Sequence, residues 1–171
     1  DGKMSGYLQV DGGTLNIQSG TYQYEGTPSD RGAIKYNSGS LNISDGMFKR
    51  NSNNSGSSAL RLEKAFDEGE VSITGGTFEG IYVSGRTLDA WYALTRSEYC
   101  FQKDDGPLTL PSSVQYFDDT VTVVKCTSHS WSTEANKSQY RCSYCGAINP
   151  NGLPEGTIAK IGTDNFYNSL G

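Results

Sequence analysis

Apolar positions in the first half of the chain come in short alternating pairs, and the pairs recur. Residues 7–17 (Tyr7 to Ile17) align without a gap on residues 33–43 (Ala33 to Ile43), and residues 80–90 align in the same way. A further copy is split: Ala59–Leu62 supplies its front and Gly69–Ile73 its back, with a four-residue insertion at the turn. A second motif follows three of the copies, as Ser19-Gly-Thr-Tyr22, Asp45-Gly-Met-Phe48 and Gly75-Gly-Thr-Phe78. The period is 26 residues from Leu15 to Leu41, 30 from Leu41 to Val71 and 17 from Val71 to Leu88. The last step is short because the connection from Phe78 to Ile81 spans 3 residues, where Tyr22 to Ile34 and Phe48 to Leu60 each span 12.

Period-two alternation over so few residues predicts strands, and none of them can bury an apolar face alone. If each repeat is one turn of a coil, equivalent strands stack in parallel about 4.8 Å apart. Leu15, Leu41, Val71 and Leu88 then form one inward ladder, Ile17, Ile43 and Ile73 a second, and Tyr22, Phe48 and Phe78 an aromatic stack. Gly20, Gly46 and Gly76 fall at corners, where a positive φ is useful. An antiparallel meander with Gly-rich hairpins also alternates, but it does not require the same residue type at the same place in every repeat. The predicted fold is all-β: a short right-handed parallel β-helix of three to four coils, with a C-terminal cap and a small zinc-ribbon-like knuckle.

A stacked coil exposes strand edges at its last turn and needs a cap. Residues 88–95 contain neither Gly nor Pro, and Leu88, Trp91 and Tyr92 have helical spacing. They predict a short helix with Thr87 as N-cap, Asp89 in its first turn, and Trp91 and Leu94 as plugs. Glu98–Phe101 and Val114–Val124 read as strands flanking a turn at Asp104–Pro107. The chain thus divides into repeats (1–87), cap (88–125), knuckle (126–148) and a linker opening a further repeat domain (149–171). The polar stretches Gln23–Arg31 and Asn51–Ser58 read as solvated loops.

Composition narrows the picture. The 171 residues include 21 Gly, and only 35% are apolar, so a bundle of amphipathic helices is excluded. Eleven Tyr, six Phe and two Trp still supply material for a core. The net charge of −5 and the absence of clustered Lys and Arg argue against a nucleic-acid partner. No apolar run reaches membrane-spanning length. The chain opens on Asp1 without a signal peptide, which reads as a piece of a longer protein.

The chain has one His and four Cys. Cys126-x-x-His129 and Cys142-x-x-Cys145, twelve residues apart, place three thiols and the single imidazole in two chelating pairs. Such a set suits tetrahedral Zn²⁺ in a structural role, since four protein ligands leave no position for substrate. Gly146 permits the turn in which backbone N–H groups reach a thiolate. Oxidation is the competing outcome, with Cys142–Cys145 or Cys100–Cys126 disulfides. Cys100, between Tyr99 and Phe101, reads as a small buried core residue.

Catalysis needs groups this pattern does not assemble. The outward positions are Asn16, Asn42 and Ser72 on one strand type and Gln9, Lys35, Arg61 and Tyr82 on the other, with no stacked carboxylates. Asp67, Glu68 and Glu70 cluster at the insertion turn, and Asp104–Asp105 and Asp118–Asp119 read as turn residues. With His129 taken by the metal, no nucleophile has a His partner. The expected class is therefore non-catalytic, with a polysaccharide lyase or hydrolase as the third reading, since parallel β-helices include such enzymes.

The repeat Gly13-Thr-Leu-Asn-Ile-Gln-Ser-Gly-Thr-Tyr22 resembles the β-helical repeats of large cell-surface proteins of Gram-positive bacteria, particularly Firmicutes. Residues 80–125 are similar to the segment that ends those repeats, residues 126–146 with Trp131 to the Cys/His module that follows, and residues 157–170 to the opening of a further repeat domain. The sequence departs from that pattern at Trp91, Tyr92 and Cys100. The resemblance implies an extracellular, secreted or wall-associated module without a reaction of its own, serving as a rigid spacer, an adhesin stalk or an accessory part of a secreted hydrolase. In the binding alternative the partner is a host glycan or surface protein. Trp131, Tyr140 and Tyr144 are then the candidates to stack on a sugar face, unless they pack the zinc knuckle instead.

Overall fold

The computed structural model describes residues 3–4, 6–25, 32–51, 57–67, 69–84, 88–104, 106–110, 116–133, 140–152, 158–161 and 164–167. In chain order the elements are β1 (Lys3–Met4), β2 (Leu8–Ile17), β3 (Thr21–Gln23), β4 (Ile34–Ile43), β5 (Met47–Lys49), β6 (Leu60–Leu62), β7 (Val71–Ile73) and β8 (Thr77–Val83). Then follow the helix α1 (Leu88–Thr95), β9 (Tyr99–Lys103), β10 (Gly106–Pro107), β11 (Tyr116–Lys125), β12 (Trp131–Thr133), β13 (Tyr140–Cys142), β14 (Ile158–Ile161) and β15 (Asp164–Tyr167). Among the described residues the chain is mostly β, with one short helix. That helix is far too short to cross a membrane.

The repeats pair in parallel and in the register the alignment predicts. Leu15 lies beside Leu41 and Leu41 beside Val71; Ile17, Ile43 and Ile73 follow the same order. Leu8, Ile34, Leu60 and Ile81 form a further file through β2, β4, β6 and β8. Tyr22, Phe48 and Phe78 stack through β3, β5 and β8, with ring centroids 5.1 and 4.6 Å apart and planes within 8° and 6°. The corner glycines adopt φ of 117° (Gly20), 136° (Gly46) and 99° (Gly76), a region that L side chains avoid.

Two strand types that the sequence separates are continuous in the structure. β2 and β4 each run ten residues, passing through their Gly turns as irregularities in the pairing between Val10 and Thr14. The third copy is divided into β6 and β7 by the insertion, where Glu70 accepts from the Asp67 amide (2.8 Å) and the Tyr36 hydroxyl (3.4 Å). These acids shape a turn; Glu68 lies outside the described residues.

The ladder stops one rung earlier than expected. Leu88 opens α1 instead of extending the Leu15–Leu41–Val71 file. The three-residue connection after Phe78 merges two strand types into β8, and after Val83 the chain leaves the stack and turns into a helix. Trp91 and Leu94 are fully buried there, and Trp91 meets Phe101 edge to face at 5.9 Å. Thr87, the expected N-cap, lies outside the described residues.

β11 then runs antiparallel to β8 and β9 antiparallel to β11, so the eleven-stranded sheet is mixed and does not close on itself. β12–β13 and β14–β15 are separate antiparallel pairs. The core runs unbroken from Val10 to Val123 through the stacked files and the cap. The loop expected to be solvated at Asn51–Ser58 is buried at its ends: the Asn51 amide donates to the Ser57 hydroxyl at 3.1 Å, and both residues are inaccessible. Residues 26–31 and 52–56 lie outside the described residues.

Phe48 is enclosed by an aromatic ring on either side, so Phe48→Ala should lower the unfolding free energy by about 3–5 kcal/mol, while the exposed Thr14→Ala should stay within about 0.5 kcal/mol. Urea denaturation with a common m-value measures both.

Candidate metal site

The Cys/His segment leaves the main sheet directly from β11. The Cys126 amide donates to the Glu98 carbonyl at 2.8 Å, one step beyond the Lys125–Tyr99 pair, so the first donor is anchored by the sheet ladder itself. β12 and β13 form a short ribbon in which Trp131 faces Cys142. The Ser143 amide donates to Ser130, the Gly146 amide to Cys142 and the Cys142 amide to Ala147, all at 2.8 Å, folding residues 142–147 into a tight turn. The Tyr144 amide points at the Cys142 sulfur, 3.4 Å away, as expected of a thiolate knuckle. Gly146 adopts φ 78°, and a Cβ there would collide with the Tyr92 ring.

This framework brings together all four residues singled out by spacing. The Cys126, Cys142 and Cys145 sulfurs and a His129 ring nitrogen lie within 4.8 Å of one another, and the three thiols are buried while His129 stands exposed at the rim. His129 Nδ1 is 3.7 Å from both Cys126 Sγ and Cys145 Sγ. Four such donors converging on one point can hold a metal ion. All four cysteines are present as unpaired thiols.

The protonation pattern has the same cause. Burial raises the Cys126 thiol, and neighbouring thiolates add to it, pushing it up to about 12. Burial likewise raises Cys145. At Cys142 burial also works upward, but the Tyr144 amide, His129 and the Cys145 and Ser130 amides together outweigh it and bring the thiol to about 7. Three buried thiols cannot all ionise side by side unless a cation compensates them.

Spacing alone did not reveal how the cluster is fastened. Thr95, at the end of α1, donates its hydroxyl to the Cys145 carbonyl at 2.9 Å. Arg141 donates to the Gly146 carbonyl at 2.7 Å and lies over the Tyr92 ring at 5.1 Å. Cys100 is 4% exposed and joins the same cluster as Cys126, Cys142 and Cys145. Its flanks Tyr99 and Phe101 predict the burial but not the company of the other cysteines. Burial raises its thiol.

The aromatic candidates sit around this cluster. Trp131 stacks on His129 with centroids 4.7 Å apart and planes 20° apart, and Tyr140 lies tilted at 6.4 Å from Trp131. Tyr144 is half-buried in the turn. Trp131 thus spends one ring face on the imidazole.

No protein-family model, curated protein or solved structure matches the chain.

Loading the metal-free protein with a divalent metal at pH 7 should release about two to three protons, since Cys126 and Cys145 arrive protonated and Cys142 half so. Affinity should therefore fall as pH drops. Calorimetry in buffers of different ionisation enthalpy measures the count, and a release of zero would exclude thiolate ligation. Gly146→Ala should weaken metal retention through its clash with Tyr92, measured by competition with a chromogenic chelator.

Proposed function

We propose that the chain is a non-catalytic structural and display module: a short parallel β-helix closed at one end by α1 and locked by a structural zinc ion. The observation that carries the reading is the closed four-donor cluster tied to the cap through Thr95 and Cys145. Zinc bonds of about 2.3 Å to sulfur and about 2.0–2.1 Å to nitrogen put tetrahedral S and N ligands about 3.6 Å apart. The 3.7 Å separations of His129 Nδ1 from Cys126 Sγ and Cys145 Sγ fit that value. Three thiolates and an imidazole are a soft donor set suited to zinc, and four protein ligands hold it without an open position. When bound, the ion supplies the charge compensation the thiolates require.

The parallel register of Leu, Ile and aromatic files supports the coil, and a rod built of stacked rungs on a continuous core suits a spacer or stalk. The resemblance of the repeats extends the reading to a secreted or wall-attached protein of a Gram-positive bacterium. Lys103 pairs with Asp119 at 2.7 Å and Arg61 with Glu63 at 2.7 Å, which accounts for those charges structurally.

The purified chain should carry about one equivalent of zinc, and a chelator should lower its melting midpoint by about 10 °C or more. Metal analysis, thiol titration and calorimetry read these quantities. Incubation with acidic and neutral polysaccharides should release no new reducing or unsaturated ends. Two disulfides without metal would end the zinc assignment, and newly formed ends would end the non-catalytic one.

A further inference from the structure

Two concavities meet at one side chain. The first is a groove of about 200 Å³ over the outer faces of β2, β4 and β7, lined by Asn16, Gln18, Asn42, Ser44, Ser72 and Thr74. The second is a cleft of about 550 Å³ between α1 and the Cys/His turn, with Asp89, Arg96, Ser97 and Glu98 on one wall and Arg141 and Ile148 on the other. Arg96 lines the cleft, and its Nη1 donates to Ser72 Oγ in the groove at 3.1 Å. Ser72, expected to face outward, is only 7% exposed.

The groove is a file of neutral hydrogen-bonding groups at strand spacing. Asn42 Nδ2 donates to Asn16 Oδ1 at 2.9 Å, and Ser72 continues the file on β7. The Ser44 and Thr74 hydroxyls lean on the Ile17 and Ile43 carbonyls at 3.4 and 3.5 Å. Such a surface offers donors and acceptors every 4.8 Å or so along the stacking axis, which matches a hydroxyl-rich polymer lying lengthwise. It holds no row of cations, so it does not match a polymer with a phosphate at every unit.

Arg96 supplies the second observation. It is exposed, and among the described residues its guanidinium bonds Ser72 and forms no ion pair, although the Asp89 and Glu98 carboxylates line the same cleft. It has φ 52° and is followed by Ser97 at φ 55°, two successive non-glycine residues in the left-handed region. That conformation costs free energy, and from the end of α1 the side chain reaches the groove through its bond to Ser72. A guanidinium so placed is a fork for one carboxylate.

We propose that the groove binds an extended polysaccharide containing carboxylate sugars. Asn16, Asn42 and their neighbours take the sugar hydroxyls, and Arg96 takes one carboxylate. The net charge of −5 does not forbid this, because screening at physiological ionic strength acts over about 8 Å and Arg96 stands at the contact. The site shares no ligand residue with the metal cluster, so it stands apart from the zinc reading.

The test uses oligogalacturonate and its methyl ester, which share a backbone and differ in charge. Calorimetry should show saturable binding of oligogalacturonate by the wild-type chain, weakened about tenfold or more in Arg96→Gln. The methyl ester should bind wild type and Arg96→Gln equally, and more weakly than the acid binds wild type. Asn16→Ala should weaken both ligands. Unchanged melting and metal content show that Arg96→Gln is folded. Absence of saturable oligogalacturonate binding, or equal affinity of wild type and Arg96→Gln for it, would overturn the proposal.

Discussion

The structure depends on like side chains lying on like across parallel strands. In a parallel pair the register sets one residue beside its equivalent, so a repeat that returns Leu, Ile and an aromatic ring to the same place builds three continuous files. Each file excludes water along its length, and no single rung does so alone. The near-parallel stacked rings of Tyr22, Phe48 and Phe78 are the direct expression of this constraint. The files also dictate the outside: inward Leu and Ile force Asn16, Asn42 and Ser72 into a matching outer file.

A stack of this kind has a problem at its end, and the chain answers it in stages. Trp91 and Leu94 of α1 fill the apolar end, while β11 reverses direction and covers the free side of β8. The Cys/His turn then fastens to the helix through Thr95 and Arg141. The ribbon β12–β13 is too small to hold itself together by burial, and four donors able to hold a metal ion converge beside it. Its position beside α1 also creates the cleft that meets the outer groove at Arg96.

Much of this was legible in the residues, and the gaps have physical causes. The register was readable because parallel stacking leaves a repeat at fixed spacing. The four converging donors were readable because a two-residue gap within each pair is a local property of the backbone. Leu88 misled because its apolar character serves a helix face as well as a strand file, and only what lies beyond Val83 distinguishes them. The burial of Asn51, Ser57 and Ser72 was invisible because polarity says nothing about what is later laid on top. Cys100 falls outside the CxxH/CxxC spacing because its nearness to Cys126 passes through the pairing of β9 with β11.

Sequence by itself therefore determined what is periodic or local: the strand type, the parallel register, the aromatic stack and the four Cys and His side chains that converge. Tertiary structure alone decided what depends on distant segments meeting. It turned the strand direction at β11, making the sheet mixed and open, and it stacked Trp131 on His129. It also brought Arg96 over Ser72, 24 positions away. The division follows from the interactions themselves: repeats and chelating pairs are written in neighbouring positions, whereas contacts between a cap and the stack it covers exist only once both have folded.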